Sequence, residues 1–256
     1  MMNVTEQTKL PVSVFIVAQN EESNITRLMR SLTHFDEVVV VDSGSTDDTP
    51  AIARQHGAKV FHQTWLGFAA QKQWAMEQCK NDWVLNLDAD EVVTAEMFKA
   101  IAEVIKDANV DAVRFNRNDL FLGKMPPKWM KKPNNVRLYR RAKAKFDTTQ
   151  KVHESARVDG REIHVKASFD HYGYNDIATL VLKFNHYSSL KAKEKYQRGK
   201  RGSLIKLSLI CAIEFWRKYL LQRHFTFGVR GFILSILNAH YAFLKEAKLL
   251  SESKNK

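Results

Sequence analysis

Short aliphatic runs alternate with stretches whose apolar residues recur every three or four positions, and this alternation organises the first half of the chain. Residues 12–17 (VSVFIV), 37–41 (EVVVV), 59–62 and 83–87 read as strands, the aliphatic ones buried on both faces. Between the first two, Ile25, Leu28, Met29 and Leu32 mark one face of a helix. Further helices are expected up to about residue 55, over 68–79 and over 95–106. Ser45 or Thr46 with Pro50 suits a helix start, and Gly57 suits its end. Strand and helix in strict alternation predict an α/β fold with a mostly parallel sheet flanked by helices.

The pattern then changes twice. Between about 110 and 170 the strand-like runs are shorter (112–115, 136–139 and 163–169). They enclose 120–129, LFLGKMPPKW, which suits either a packed Ω-loop or the wall of an acceptor site. Past residue 174 the pattern is helical, over 179–200, 204–221 and 232–249, with a break expected at Gly228–Gly231. The uncharged run 231–244 has 14 residues. A bilayer span needs roughly 20, so the run is read as too short to cross.

Charge sharpens the division. Residues 1–182 hold 24 Lys/Arg and 24 Asp/Glu, whereas 183–256 hold 16 and 4, so the whole net charge of +12 lies in the tail. The expected domains are a catalytic one over 1–182 and a basic, aromatic-rich helical extension over 183–256. Lys193, Lys195, Arg198, Lys200 and Arg201 cluster late in the first tail helix, and Trp216, Phe225, Phe227 and Phe232 interleave with further basic residues. That composition suits an anionic membrane surface, or else a solvated helical hairpin packed on the sheet. No zinc knuckle or helix-turn-helix pattern supports a nucleic-acid partner. Two cysteines without metal spacing and a polar N-terminus favour a reducing, cytoplasmic location.

The candidate chemistry stands at strand ends. Asp88, Asp90 and Glu91 follow the fourth strand in VLNLDADE. Like charges crowded there require a cation or donors. The Asp-X-Asp spacing puts two oxygen ligands on one side of an extended segment, as a metal–phosphate site needs, although an Asx-type turn would use the same residues. Asn20 and Glu21 follow the first strand and Asp42 the second, so three polar clusters fall at carboxyl ends, where open α/β sheets bind ligands. Neither a Gly-X-Gly-X-X-Gly turn after the first strand nor a P-loop is present, which weighs against a dinucleotide oxidoreductase and a P-loop NTPase. In KVHE, Glu154 is the candidate general base, with His153 orienting it or structural, and His171 is a candidate for the metal shell begun at Asp90.

The ordered segments VSVFIVAQNEESNI, EVVVVDSGSTDDT, WLGFAAQKQWAM and WVLNLDADE resemble the family 2 inverting glycosyltransferases of GT-A fold. Through NVRLYRR, KVHE and HYGYNDIATLVLKFNHYS the likeness extends over most of 10–200, and it is greatest to lipopolysaccharide core enzymes that add a β-1,4-glucose to the first inner-core heptose. The chain departs from that group in WMKKPNNVRLYRR, which is glycine-poor and lysine-rich. The resemblance implies a hexosyltransferase using UDP-glucose and Mg2+ or Mn2+. Asn20, Glu21, Asp42, Gln71, Lys72 and Asp88 would hold the nucleotide sugar, Asp90 and His171 the metal, and Glu154 would act as the base. Lys124, Trp129 and Arg137 are placed on the acceptor side. The acceptor implied is a lipid-anchored anionic glycan at the cytoplasmic face of the inner membrane. Another acceptor (a polysaccharide repeat unit, a polyprenyl-linked sugar or a peptide) and a nucleotidyltransferase are the alternatives.

Overall fold

The aliphatic runs become the centre of a sheet. The computed structural model describes residues 9–147, 155–174 and 176–254. The first four strands are β1 (Leu10–Ala18), β2 (Phe35–Asp42), β3 (Lys59–His62) and β4 (Trp83–Asp88). They run parallel in the spatial order β3-β2-β1-β4. The sheet continues through β7 (Asn134–Arg140), β6 (Ala112–Phe121) and β10 (Glu162–Tyr174) to the short β5 (Glu91–Val92). β7 is antiparallel to β4 and to β6, and β5 is antiparallel to β10. A separate ribbon pairs β8 (Ala144–Lys145) with β9 (Arg157–Val158). The result is a GT-A-type mixed sheet flanked by helices. Its parallel part is the region in which the sequence shows buried strands.

β1 is covered on both faces, which is why its run is nearly all aliphatic. Val12, Val14 and Ile16 pack with Ile25, Leu28 and Met29 of α1 (Glu22–Arg30) and with Met97 and Ile101 of α4 (Ala95–Val104). Phe15 points to the other face, among Val39, Val41, Tyr139, Phe146 and Ala75 and Met76 of α3 (Phe68–Glu77). The remaining helix of this region, α2 (Thr49–Gln55), starts with Pro50 in its first turn. Thr94 caps α4 by accepting from Met97 N at 3.1 Å, and its own hydroxyl donates to Ser168 O at 2.6 Å, tying the helix start to β10.

The register aligns the strand ends. Ala18 pairs with Asp42, Asp42 with His62, and Val17 with Asp88. The polar clusters after β1, β2 and β4 therefore stand in one row along the carboxyl edge.

The chain divides into two compact units, Met1–Asn118 with Pro133–His171, and Asp119–Lys132 with Tyr172–Lys256. The second contains α5 (Ile177–Gln197), α6 (Leu204–Trp216) and α7 (Gly228–Lys254), with a π-type turn over Arg217–Leu221 and a 3-10 turn over His224–Phe227. Asp176 caps α5 by accepting from Thr179 N at 2.7 Å. A small core of Phe121, Leu180 and Leu234 joins the helices, with Phe184, Phe227 and Leu237 around it.

At one place the helices differ from the sequence pattern. Gly228–Gly231 does not interrupt a helix; α7 starts there and runs unbroken for 27 residues. Gly231 is a close-approach glycine, because a Cβ built on it would lie 1.8 Å from the carbonyl oxygen of His224. The 3-10 turn and α7 together, His224–Ser253, are long and apolar enough, by length and composition, to cross a membrane, which the 14-residue uncharged run did not suggest.

Candidate active site

The loops after β1 and β2 are stitched together by the residues expected at the nucleotide. Asn20 adopts φ +55°, a left-handed conformation that asparagine tolerates. Its side-chain oxygen accepts from Thr46 N at 2.8 Å, and its backbone N–H donates to Ser45 Oγ at 2.9 Å. Glu21 N donates to Thr49 Oγ1 at 2.8 Å, and Glu21 Oε2 accepts from Asn24 Nδ2 at 2.9 Å. Asp42 closes an Asx-type turn, accepting from Gly44 N at 3.2 Å and from Ser45 N at 3.1 Å. His62 Nδ1 lies 3.5 Å from Asp42 Oδ2.

Gln71, fully buried on α3, has its amide taken up by the protein. Its nitrogen donates to Gln63 O at 2.9 Å and to Ser43 Oγ at 3.1 Å, and its oxygen accepts from Leu66 N at 3.2 Å. It shapes the loop before α3 and presents no amide to a ligand.

The end of β4 is an ion cluster. Lys72, nearly buried, donates to Asp88 Oδ1 at 2.8 Å. Arg137 donates to Asp88 Oδ2 at 2.9 Å and also to Glu91 Oε1. Glu91 Oε2 accepts from Asp88 N at 3.0 Å, closing the strand end on itself. The guanidinium sits 5.2 Å from the centre of the Phe169 ring. Arg137, expected on the acceptor side, thus has its guanidinium committed to Asp88 and Glu91. It is buried in β7, because β7 lies antiparallel beside β4 and carries the guanidinium to the two carboxylates.

The two carboxylates have opposite electrostatics. Burial raises the Asp88 carboxyl, but the Lys72 ammonium and Arg137 guanidinium outweigh it and hold the group well below the usual carboxylate range. Glu91 is fully buried, and burial pushes it up to about 7; Arg137 lowers it and the Asp88 charge raises it further. Asp88 keeps 41% of its side chain exposed and so stays accessible to a ligand.

Asp90 points elsewhere. Its Oδ2 lies 3.3 Å from His171 Nε2, a contact set by β10, where His171 stands opposite Glu91 in the β5 register. The two candidate metal ligands are therefore brought together. A carboxylate oxygen and an imidazole nitrogen suit Mn2+, and a carboxylate suits Mg2+. Among the described residues no group of three or more His, Cys, Asp or Glu is arranged around a metal. Two protein donors fit an ion whose remaining positions go to phosphate oxygens and water.

Glu154 and His153 lie outside the described residues. Lys124 and Trp129 belong to the second unit, Lys124 paired across a turn with Phe121 and Trp129 73% exposed. Lys193 and Lys195 are on α5, Arg198 caps its end, and Lys200 and Arg201 follow in the loop to α6. Arg198 pairs with Glu194 at 2.6 Å, and Arg201 lies 4.4 Å from the centre of the Tyr196 ring. The pattern of residues missed the structural role of Glu91. Its signal was an arginine between Val136 and Leu138 in an apolar strand, a charge that needs an interior partner.

The sequence profile of "Glycosyl transferase family 2" matches residues 13–163. The chain belongs to that family. Several glycosyltransferases match it over nearly their whole length. One is the lipopolysaccharide core biosynthesis glycosyltransferase LpsC of Rhizobium meliloti, 34% identical, with 94% of this chain and 92% of LpsC covered. Another is an uncharacterized glycosyltransferase of Rickettsia felis, 37% identical, with 95% and 92% covered. Among solved structures, S. aureus TarS 1–349 in complex with UDP superposes with a TM-score of 0.52 at 19% identity, covering 93% of this chain and 91% of that one. That likeness supports the fold.

Proposed function

We propose that this glycosyltransferase is an inverting, metal-dependent hexosyltransferase that moves glucose from UDP-glucose to the inner-core heptose of lipopolysaccharide in β-1,4 linkage. The observation that carries the reading is the split of the strand end: Asp88 is fixed by Lys72 and Arg137, and Asp90 stands with His171 at 3.3 Å. A donor needs a ribose site and a diphosphate site side by side, and the turn from Asp88 to Asp90 supplies both. Similarity to LpsC over 94% of the chain supports the lipopolysaccharide core as the acceptor class.

In this reading Asp42 and the Asn20–Glu21 loop border the uridine, and Asp88 accepts from a ribose hydroxyl. Gln71 and Lys72 position these groups through the bonds described above. Asp90 and His171 would hold Mg2+ or Mn2+, which when bound offsets charge on the departing diphosphate. Glu154 takes the proton of the acceptor hydroxyl. The hydroxyl oxygen bonds to the anomeric carbon from the face opposite UDP, the carbon–oxygen bond to the diphosphate breaks, and the configuration inverts. Chemistry is assigned to 1–182, and acceptor and membrane contact to 183–256. Lys124 and Trp129 are assigned to acceptor recognition, and the enzyme works at the cytoplasmic face of the inner membrane on a lipid-anchored anionic glycan.

The test is UDP release from a panel of UDP-sugars with truncated lipopolysaccharide cores as acceptors. UDP-glucose with a core ending at the first heptose should give the fastest release. E154Q should bind donor normally and transfer about 10²–10⁴-fold more slowly. Release of pyrophosphate in place of UDP, or indifference to the heptose, would refute the assignment.

A further inference from the structure

The second unit carries an apolar surface that its own packing does not use. On α6 the exposed residues Ile205, Leu209, Ile213 and Trp216 recur at helical spacing, and Leu220 extends the series into the π-type turn. They form one narrow stripe, with Ile205 77% and Trp216 54% exposed. A solvated helix carries polar residues on its outer face. α7 repeats the feature: Leu234, Ala239, Ala242 and Leu249 are buried in the unit, while Val229, Phe232 and Ile236 form a second, outward stripe. The stripes meet at a groove of about 620 Å3, walled by Trp216 and Phe215 from α6 and by Ile236 and Phe243 from α7. Trp216 and Ile236 belong both to the stripes and to the groove, so the apolar face is continuous.

The charges beside it are almost all of one sign. From 200 to 230 the chain has seven Lys or Arg and a single acid, Glu214. Lys206 and Arg217 lie along one flank of the α6 stripe, half-exposed while paired with Glu246 and Glu214 respectively, and exposed Arg223 follows the π-type turn. Two copies of this face brought together would place like charges opposite one another. An anionic lipid surface matches both the apolar stripe and its basic border.

α7 has the length to cross a bilayer, but its C-terminal half is held by polar bonds within the unit. Lys248 Nζ donates to Asn185 O and to the hydroxyls of Ser188 and Ser189, each at 2.8 Å. Buried Glu246 pairs with Lys206 at 2.8 Å and accepts from Ser203 N at 3.0 Å. A spanning placement would break these bonds or carry the ions into hydrocarbon.

We propose that the α6–α7 hairpin lies flat in the headgroup–acyl boundary of an anionic leaflet, with the two apolar stripes immersed, a lipid acyl chain in the groove between them, and the basic flank at the phosphates. The inference rests on the membrane-surface part of the proposed function and supplies its residues.

The experiment uses the full-length protein and vesicles of phosphatidylcholine with or without phosphatidylglycerol, at low and high salt. Co-sedimentation should require phosphatidylglycerol and weaken as salt rises. Bromines on the acyl chain near the headgroup should quench tryptophan emission more than bromines near the chain end, and W216F should remove most of that quenching. The triple substitution I205S/L209S/I213S should keep the helical circular dichroism and weaken vesicle binding at least about 100-fold. Its rate of UDP-sugar hydrolysis in solution, without acceptor, should be unchanged. Binding unaffected by the triple substitution, strongest quenching from bromines at the chain end, or a stable vesicle-free dimer that shields Trp216 would each overturn the flat placement. If the unsubstituted protein transfers no hexose to a soluble, deacylated core, the proposed function fails, while the vesicle result still decides this inference.

Discussion

One guanidinium holds the acidic strand end together. Arg137 serves both Asp88 and Glu91, and Lys72 adds a second cation on Asp88, so two carboxylates are matched by two cations. R137M leaves Glu91 buried without its cation. It should destabilise the fold by about 3–5 kcal/mol in urea unfolding, the range for removing one partner of a buried pair. E91Q, which keeps the shape and one acceptor, should cost clearly less. Asp90 differs, being 18% exposed with the His171 imidazole 3.3 Å from its carboxylate. D90A should leave the urea midpoint nearly unchanged and lower turnover by orders of magnitude, as should excess EDTA with the unsubstituted enzyme; full activity in EDTA would contradict the metal assignment. At this scale the acidic strand end was legible, because carboxylates after an apolar strand are conspicuous, and Asp90 and His171 do lie together. The bonding of Arg137 to this cluster was not legible, because which strand lies beside β4 is set by long-range pairing between residues 83–85 and 138–140.

At the scale of elements, the parallel strands were legible wherever both faces are buried, since such strands show as unbroken aliphatic runs. The antiparallel half was harder to read: β6 mixes buried and half-buried positions and β10 adds exposed ones, and their patterns predicted shorter strands than form. α7 was misread at its start, where two glycines look like a break until the carbonyl of His224 is seen against Gly231. The same corner predicts a pH dependence. Burial pushes the His224 imidazole down to about 4 from its ordinary 6.5, and Lys218 and Arg217 add to the effect, while the backbone at Gly231 opposes it. His224 Nδ1 lies 3.2 Å from Ser235 Oγ. Above pH 6.5 the imidazole is neutral both folded and unfolded, so its contribution is complete. As pH falls from 6.5 to about 4 the unfolded chain gains a proton that the folded chain refuses, and stability is lost, by up to roughly 3 kcal/mol. H224Q should flatten the decline of the urea midpoint between pH 6.5 and 4; an unchanged slope would show that another group carries it.

For the whole molecule, charge and packing divide the work. The first unit carries the aligned strand ends and their carboxylates, and the second carries the basic excess and the unused apolar face. The fold class and the family were legible because the order of strand ends, each with its own polar cluster, is a long-range pattern written along the chain. The acceptor was less so, because the residues that would select it lie in loops such as 120–129, where no periodicity constrains the side chains. The claim that joins these parts is inverting transfer of glucose to a core heptose, and the linkage in the product tests it most directly. Purified enzyme, UDP-glucose, Mg2+ or Mn2+ and a core ending at the first heptose should yield one new sugar. Its anomeric proton–proton coupling in NMR should be the large one of a β-glucoside, with the substituted carbon at position 4 of the heptose. A small coupling, showing an α-linked product, or no sugar added to the heptose by the fully metallated enzyme, would contradict the account.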